Sequence, residues 1–242
     1  MGAVRLEMVR ADLFGRRVVS RAEDGELTIV ELPKRVADDF VSANHYSGSA
    51  CWASYAHFGV YRGGELIGAV QYGHPMNPRA TGAISPAARF GEVAELNRMA
   101  FSHGRPDNSA TRVLSATIRW LRHKRPEVRW VQSFADERCG KYGVVYQAAS
   151  FLYLGSREST FWELDGEWFH NSMFGRPLRD KRGWGTGPKI ARLRGREAEA
   201  KPHTFRQFRY VRCLTTSARR DLALDPLPYP KHYVADNGDM TA

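Results

Sequence analysis

Residues 132–155, QSFADERCGKYGVVYQAASFLYLG, read as a strand end, a turn, a helix and a second strand. The first strand closes on Ser133, Asp136 and Glu137, and Tyr146 falls on the helix that follows. A carboxylate at a strand end and a phenol on the next helix can converge on one reacting atom, one taking a proton and the other giving one. Taken singly, each has a plainer use: Asp136 and Glu137 cap the helix, and Tyr146 packs beside Val145 and Ala149. A second group, NHYSG, sets His45 and Tyr46 side by side at a helix end, and imidazole serves as base or metal ligand near neutral pH. His57 and His74 stand mid-strand and in a loop without HxH or HExxH spacing, so a metal site has to assemble from distant residues such as His45 and Asp136. A third stretch, SHGRPDNSATR, precedes a helix. Free N–H groups at a helix start attract anions, and Arg105 and Arg112 flank them. The stretch lacks the glycine density of a phosphate-binding fingerprint, and an ordinary N-cap accounts for it as well.

The elements that must position these residues follow from periodicity. Residues 26–31 read as a strand, and Pro33 opens a helix with Val36, Phe40 and Val41 at helical spacing, ending near NHYSG. YAHFGVYRGGELIGAVQYG is a hairpin whose two alternating runs meet at Gly63-Gly64, a primed-turn signal. Residues 74–91, rich in Pro, Gly, Ala and Asn, read as a long loop, a candidate lid. A strand follows at 93–101, its apolar run broken by Glu95, Asn97 and Arg98. Asp107, Asn108 and Ser109 are N-cap types before a helix whose apolar face is Val113, Leu114, Ile118 and Leu121; Pro126 closes it. VRWVQSF is the next strand, then come the Tyr146 helix and two strands, FLYLGS and TFWELDG. The order β-α-β-β-β-α-β-α-β-β, with a strand-containing tail, describes an α/β (α+β) domain on a mixed sheet.

The chain has 242 residues, 43% apolar, with 12 Phe, 10 Tyr and 6 Trp, enough to bury a core. No stretch reaches the ~18–20 uninterrupted apolar residues of a membrane span, and the N-terminus lacks a secretion-signal pattern, so a cytoplasmic location is expected. Cys51, Cys139 and Cys213 are dispersed, which argues against a disulfide framework or a structural zinc site. Thirty-six Lys and Arg against 26 Asp and Glu give a net charge of +10, which favours a polyanionic partner through counterion release. The excess gathers in residues 176–212, where Arg176, Arg179, Lys181 and Arg182 stand near Trp184, and Phe205, Phe208 and Tyr210 are interleaved further on. Arginines beside flat rings suit nucleic acid, while the same aromatics on a strand also suit packing on a core.

The blocks NHYSG, HFGVYRGGELIGAVQYGHPMNPR, ELNRM, QSFADERCGKYGVVYQAASFLYLG and STFWELDGEWFHN together resemble the Mom family of phage DNA-modification proteins. The resemblance runs from about residue 40 to 172, with a looser match in FRQFRYVRC and PLPYPK. It implies a GNAT-like acyltransferase fold with a basic C-terminal extension: residues 1–25 as an N-terminal extension, 26–175 as the catalytic core, and 176–242 as a basic tail completing or flanking it. It also implies conversion of adenine N6 in double-stranded DNA to the carbamoylmethyl form, which shields phage DNA from host restriction. In such a fold two adjacent strands splay apart, the acyl-donor arm lies between them, and the donor's pyrophosphate rests on the loop before the next helix.

Carried over residue by residue, the resemblance assigns catalysis to His45, Tyr46, Ser133, Asp136 and Tyr146. Asp136 takes the amine proton, Tyr146 protonates the leaving thiolate, and His45 and Tyr46 hold the flipped base. It also matches Arg98 in ELNRM, taken as donor-binding; the loop SHGRPDNSATR offers Arg105, Asn108 and Ser109 to the donor, and the basic stretch offers Arg176, Arg179, Lys181 and Arg182 to DNA. The donor is acetyl-CoA or a glycyl donor, and an iron held by His45 and Asp136 is a further expectation. Plain acetyl transfer leaves an amide on N6, whereas a glycyl group on N6 is an isomer of the carbamoylmethyl product. Two other readings stand beside this one: a GNAT N-acyltransferase acting on tRNA, protein or a small-molecule amine, and a DNA-binding module without catalysis.

Overall fold

The computed structural model describes residues 18–21, 27–77, 81–102, 104–140, 142–171 and 192–231. Their elements, in chain order, are β1 (Val18–Arg21), β2 (Thr28–Glu31), α1 (Lys34–Asn44), β3 (Ser54–Arg62), β4 (Glu65–Gly73), β5 (Val93–Phe101), α2 (Ser109–Lys124), β6 (Trp130–Asp136), α3 (Val144–Ala148), β7 (Leu152–Leu164), β8 (Glu167–His170), β9 (Lys201–Cys213) and α4 (Thr216–Arg220). The chain divides into two compact units. One comprises residues 1–133, 144–154 and 210–229; the other comprises 134–143, 155–209 and 230–242.

In the first unit the strand order is β1-β2-β3-β4-β5-β6, followed by the ends of β9 and β7. Pairing is antiparallel from β1 through β5 and parallel between β5 and β6. The β3–β4 hairpin turns at Gly63 and Gly64, whose φ of 55° and 89° are the left-handed values a primed turn demands. α1 starts at Pro33, whose missing N–H costs nothing there, and buries Ala37 and Val41. α2 buries Val113, Leu114, Ile118 and Leu121, the face its spacing specifies. One core cluster joins Ile84, Val93, Trp130, Leu154, Val211 and Ala218. Trp130 donates its indole N–H to the Ala218 carbonyl at 3.0 Å, so the ring is buried without an orphaned donor.

The described parts of the 74–91 segment form a loop as its composition predicts, but the stretch around Ile84 is fixed. Ile84 is fully buried, and its carbonyl accepts from Ala223 N at 2.7 Å. A lid free along its whole length is therefore excluded. Two other expectations change. FLYLGS and TFWELDG form one continuous strand, β7, because the exposed stretch Ser156–Glu158 keeps its backbone in the ladder despite a turn-like composition. Residues 18–21, expected in an extension, form β1 on the edge of β2.

The second unit contains the end of β6, the outer parts of β9 and β7, and β8, in the order β6-β9-β7-β8. Its apolar cluster is Leu164, Phe169, Leu193 and Ala200. Phe205 makes edge contacts with Phe161 and Trp168, and Phe208 is buried, so these aromatics of the basic segment pack in the fold. In the first unit Tyr210 is buried likewise.

The joint between β3, β4 and β5 is tight at Gly73. A Cβ there would lie 2.2 Å from the Ala53 carbonyl oxygen and 2.3 Å from Asn97 Oδ1. Backbone cannot yield as a flexible side chain does, so Gly73→Ala is expected to lower stability by about 1–3 kcal/mol. The check is the urea midpoint at unchanged slope.

Candidate active site

β5 and β6 pair through Val93–Trp130, Ala94–Val131 and Glu95–Gln132, and the register ends there although β5 continues to Phe101. At this last rung Gln132 Nε2 donates to Glu95 Oε2 at 2.7 Å. Asn97 Nδ2 donates to Glu95 Oε1 at 3.3 Å, and Ser54 Oγ donates to Asn97 Oδ1 at 3.0 Å. The β4–β5 register skips at this point, from Tyr72–Leu96 to Gln71–Arg98, so Asn97 is the extra residue of a bulge, a device that re-aims side chains. Glu95, Asn97 and Gln132 are all buried. Burial pushes the Glu95 carboxyl above its ordinary value, only partly offset by hydrogen bonds from Gln132, the Met76 backbone and Asn97.

Ser133 is the next residue on β6, and consecutive strand residues face opposite sides of a sheet. Its hydroxyl is hydrogen-bonded to the Tyr146 phenol. The short helix α3 carries Tyr146, whose ring packs 5.6 Å from Phe151 and 5.4 Å from Tyr210. Burial pushes the phenol up, opposed by the Ser133 hydroxyl. Tyr146 therefore stays protonated at neutral pH, the state a proton donor needs, and a donor that stabilises its phenolate stands in place. The expected Ser133–Tyr146 pair is thus brought together.

Asp136 lies in the second unit. Its Oδ1 accepts from Arg138 N at 3.0 Å and its Oδ2 from Arg138 Nη2 at 3.1 Å. This is the capping use, on a 3-10 turn rather than a full helix. Glu137 accepts from Arg206 N at 2.7 Å and Arg206 Nε at 2.8 Å, and this partner holds its carboxyl below the ordinary range. Arg138 also lies 4.2 Å over the Phe161 ring. His45 Nδ1 meets Ser47 Oγ at 2.8 Å, and its ring lies 4.2 Å from that of the exposed Tyr46, tilted by 33°. Arg98 Nε donates to the Ser49 carbonyl at 2.9 Å and Nη1 to the Asn97 carbonyl at 2.7 Å, so this guanidinium ties the 45–49 turn to β5.

At the α2 start, Asn108 occupies the N-cap at φ 58° without a side-chain cap, and Ser109 Oγ donates to the Pro106 carbonyl. The expected capping by Asn108 is not made: at φ 58° its backbone is left-handed rather than in the extended region an N-cap ordinarily adopts. The exposed Arg105 lies 5.0 Å over Phe101. Arg176, Arg179, Lys181 and Arg182 fall outside the described residues. Among the described residues no three His, Cys, Asp or Glu side chains are grouped to hold a metal. The iron expected on His45 and Asp136 finds no support in their local partners: Asp136 accepts from Arg138, and His45 meets Ser47 through Nδ1.

Residues 26–231 match the family model described as Mom protein family. The chain belongs to the Mom family. It is 40% identical over 209 residues to the methylcarbamoylase mom of Escherichia phage Mu, covering 85% of this chain and 84% of that protein. Among solved structures it is similar to a GNAT-family acetyltransferase from Streptococcus pneumoniae, at 11% identity and a TM-score of 0.45, over 78% of this chain and all of that one. It is also similar to the spermidine/spermine N-acetyltransferase SpeG from Vibrio cholerae, at 14% identity and a TM-score of 0.45, over 82% of this chain and 99% of that one. No helix among the described residues is long and apolar enough to cross a membrane.

Sequence reasoning passed over the Glu95–Gln132–Asn97 network as chemistry. Its signal was present, as polar residues interrupting an otherwise apolar strand, but one strand cannot reveal which partner it meets. The network predicts a pH dependence. A carboxyl that holds its proton more tightly when folded adds stability below its unfolded value, ordinarily 4.5, and loses it as pH rises through the folded value. Unfolding free energy of the wild type should therefore fall relative to Glu95→Gln as pH rises above that point. Denaturant titrations of both proteins across that range check the sign.

Proposed function

We propose that this protein is a transferase that modifies the N6 amine of adenine in double-stranded DNA, giving the carbamoylmethyl form and protecting phage DNA from host restriction. Membership of the Mom family and 40% identity to the phage Mu methylcarbamoylase support the reaction class. The net charge of +10 suits a DNA partner. The observation that carries the reading is the end of β5–β6 pairing at Glu95 and Gln132. In the GNAT-type fold that the family resemblance implies, two adjacent strands splay apart beyond such a point, and the gap admits the arm of an acyl donor. The donor is an activated glycyl group, carried as a thioester of the coenzyme A type or in another activated form, because plain acetyl transfer lacks the second nitrogen of the product.

The chain's own residues then divide the proton traffic. The adenine amine is conjugated with its ring and weakly nucleophilic, so it must lose a proton as its bond to the donor carbon forms. Tyr146, kept protonated by burial and steadied by Ser133, supplies a proton to the leaving group as its bond to that carbon breaks. Two carboxylates are candidates for the amine proton. The geometry favours Glu95, at the edge of the gap and with raised proton affinity, over Asp136, whose oxygens serve Arg138. His45 and Tyr46, with their rings in tilted contact just past the end of α1, hold the flipped base. A glycyl group placed on N6 has the atoms of the product and requires rearrangement only.

Plasmid DNA from expressing bacteria, digested and read by nucleoside mass spectrometry, tests the assignment. Wild-type cells yield the altered adenine, and Tyr146→Phe and Glu95→Gln each reduce it by about 100-fold or more. Product retained in Asp136→Asn leaves the proton with Glu95; product lost there but kept in Glu95→Gln transfers the role to Asp136. Unaltered adenine in wild-type cells rejects the function. Feeding labelled glycine addresses the donor: label on the altered base is expected for the glycyl route, and its absence eliminates that route.

A further inference from the structure

Phe90 is 81% exposed, the most exposed of the large hydrophobic side chains among the described residues. Single exposed apolar residues are common and need no explanation. This one differs in how it is held. Its ring stacks on His74 at 4.7 Å and 23° between planes. His74 is in turn 5.1 Å from the Tyr55 ring, over which the Arg125 guanidinium lies at 4.3 Å. The turn that carries Phe90 is fixed on both sides. Before it, Ala88 packs against the cluster around Ile84 and Trp130; after it, Glu92 accepts Arg89 N at 2.8 Å, and its carbonyl accepts Arg129 N at 2.7 Å. The outcome is a phenyl ring presented to solvent on a rigid, multiply propped mount.

The mount leads directly to the candidate site within the same unit. The His74 carbonyl accepts from Asn97 Nδ2 at 3.4 Å, and Asn97 donates to Glu95. Gly73 pairs with Ser54, which sets His74 beside the start of β3, where Trp52 is 63% exposed. Arg89, next to Phe90, is exposed and cationic. One end of the strands β3, β4 and β5 therefore combines rigid apolar projections, a cation and a contact path to the buried carboxyl.

We infer that Phe90 is a wedge that enters double-stranded DNA and fills the space left when the target adenine swings out. This rests on the DNA-adenine reading above and deepens it by naming the residue that opens the stack. Extruding a base costs a few kcal/mol in lost stacking and pairing. Rigid apolar side chains inserted at a base step offset that cost by restacking the gap. Phenylalanine on a fixed mount suits the role, since little side-chain freedom remains to be lost on insertion.

The test compares wild type, Phe90→Ala and Phe90→Trp. Purified proteins are mixed with duplexes carrying 2-aminopurine at successive adenine positions, and emission, which rises on unstacking, is read beside binding. Altered adenine is measured in plasmid DNA from cells expressing each variant. Phe90→Ala is expected to bind duplex DNA within about threefold of wild type, to lose the emission rise, and to lower altered adenine by at least about tenfold. Phe90→Trp is expected to keep both signals. Altered adenine at wild-type level in Phe90→Ala overturns the wedge while leaving the DNA-modifying function intact. Product loss matched by an equal loss of binding overturns it too, making Phe90 a general contact. Absence of altered adenine in wild-type cells rejects the underlying function and the wedge with it.

Discussion

The hydrogen bond between Glu95 and Gln132 is the constraint on which the first unit's chemistry rests. It closes the last rung of a parallel strand pair and marks where the two strands part. An ionisable group is expensive to bury unless it is well hydrogen-bonded, and an apolar pair would fill the position at lower cost. Gln132 and Asn97 supply donors to both carboxylate oxygens, and Ser54 supplies a donor to the Asn97 side-chain oxygen. The bulge at Asn97 makes this possible, because it turns a residue that regular pleating would space differently into the network.

Around Tyr146 the hydrogen bonds are made by hydroxyls and an amide. Tyr72 meets Thr117 at 2.7 Å, Gln147 donates to Tyr210 at 3.0 Å, and Tyr146 meets Ser133. Burial pushes the phenols of Tyr72, Tyr146 and Tyr210 upward, and Tyr146 adds to the rise at the other two. All three remain neutral near pH 7, so the layer carries protons without carrying charge.

The second unit uses its charges differently. Asp136 with Arg138, Glu137 with Arg206, and Arg196 with Asp165 and Glu199 are ion pairs that set turns and strand ends. The pairs at Arg196 are exposed and contribute little to stability. The pair at Asp136 is more enclosed, and Arg138 also lies over Phe161, so guanidinium charge and aromatic face hold one turn together. Several arginines of this unit therefore serve its own architecture, and the chain's net charge of +10 overstates what these positions have to offer DNA.

By itself the sequence determined the element order from β2 to α3, the buried face of α2, the Gly63-Gly64 turn and the family blocks, because each is written in spacing or in contiguous residues. It identified Ser133, Asp136 and Tyr146 as residues worth following. Only tertiary structure decided their partners: Ser133 and Tyr146 meet each other, whereas Asp136 serves a residue two positions away. It also fused two expected strands into β7, turned Glu137 toward an arginine 69 residues on, and joined Glu95 to a glutamine 37 residues on. Local periodicity states which side of an element is buried, since water is excluded along a whole face. Which polar group meets which is set by strand register across long loops, and no short stretch of chain contains that information.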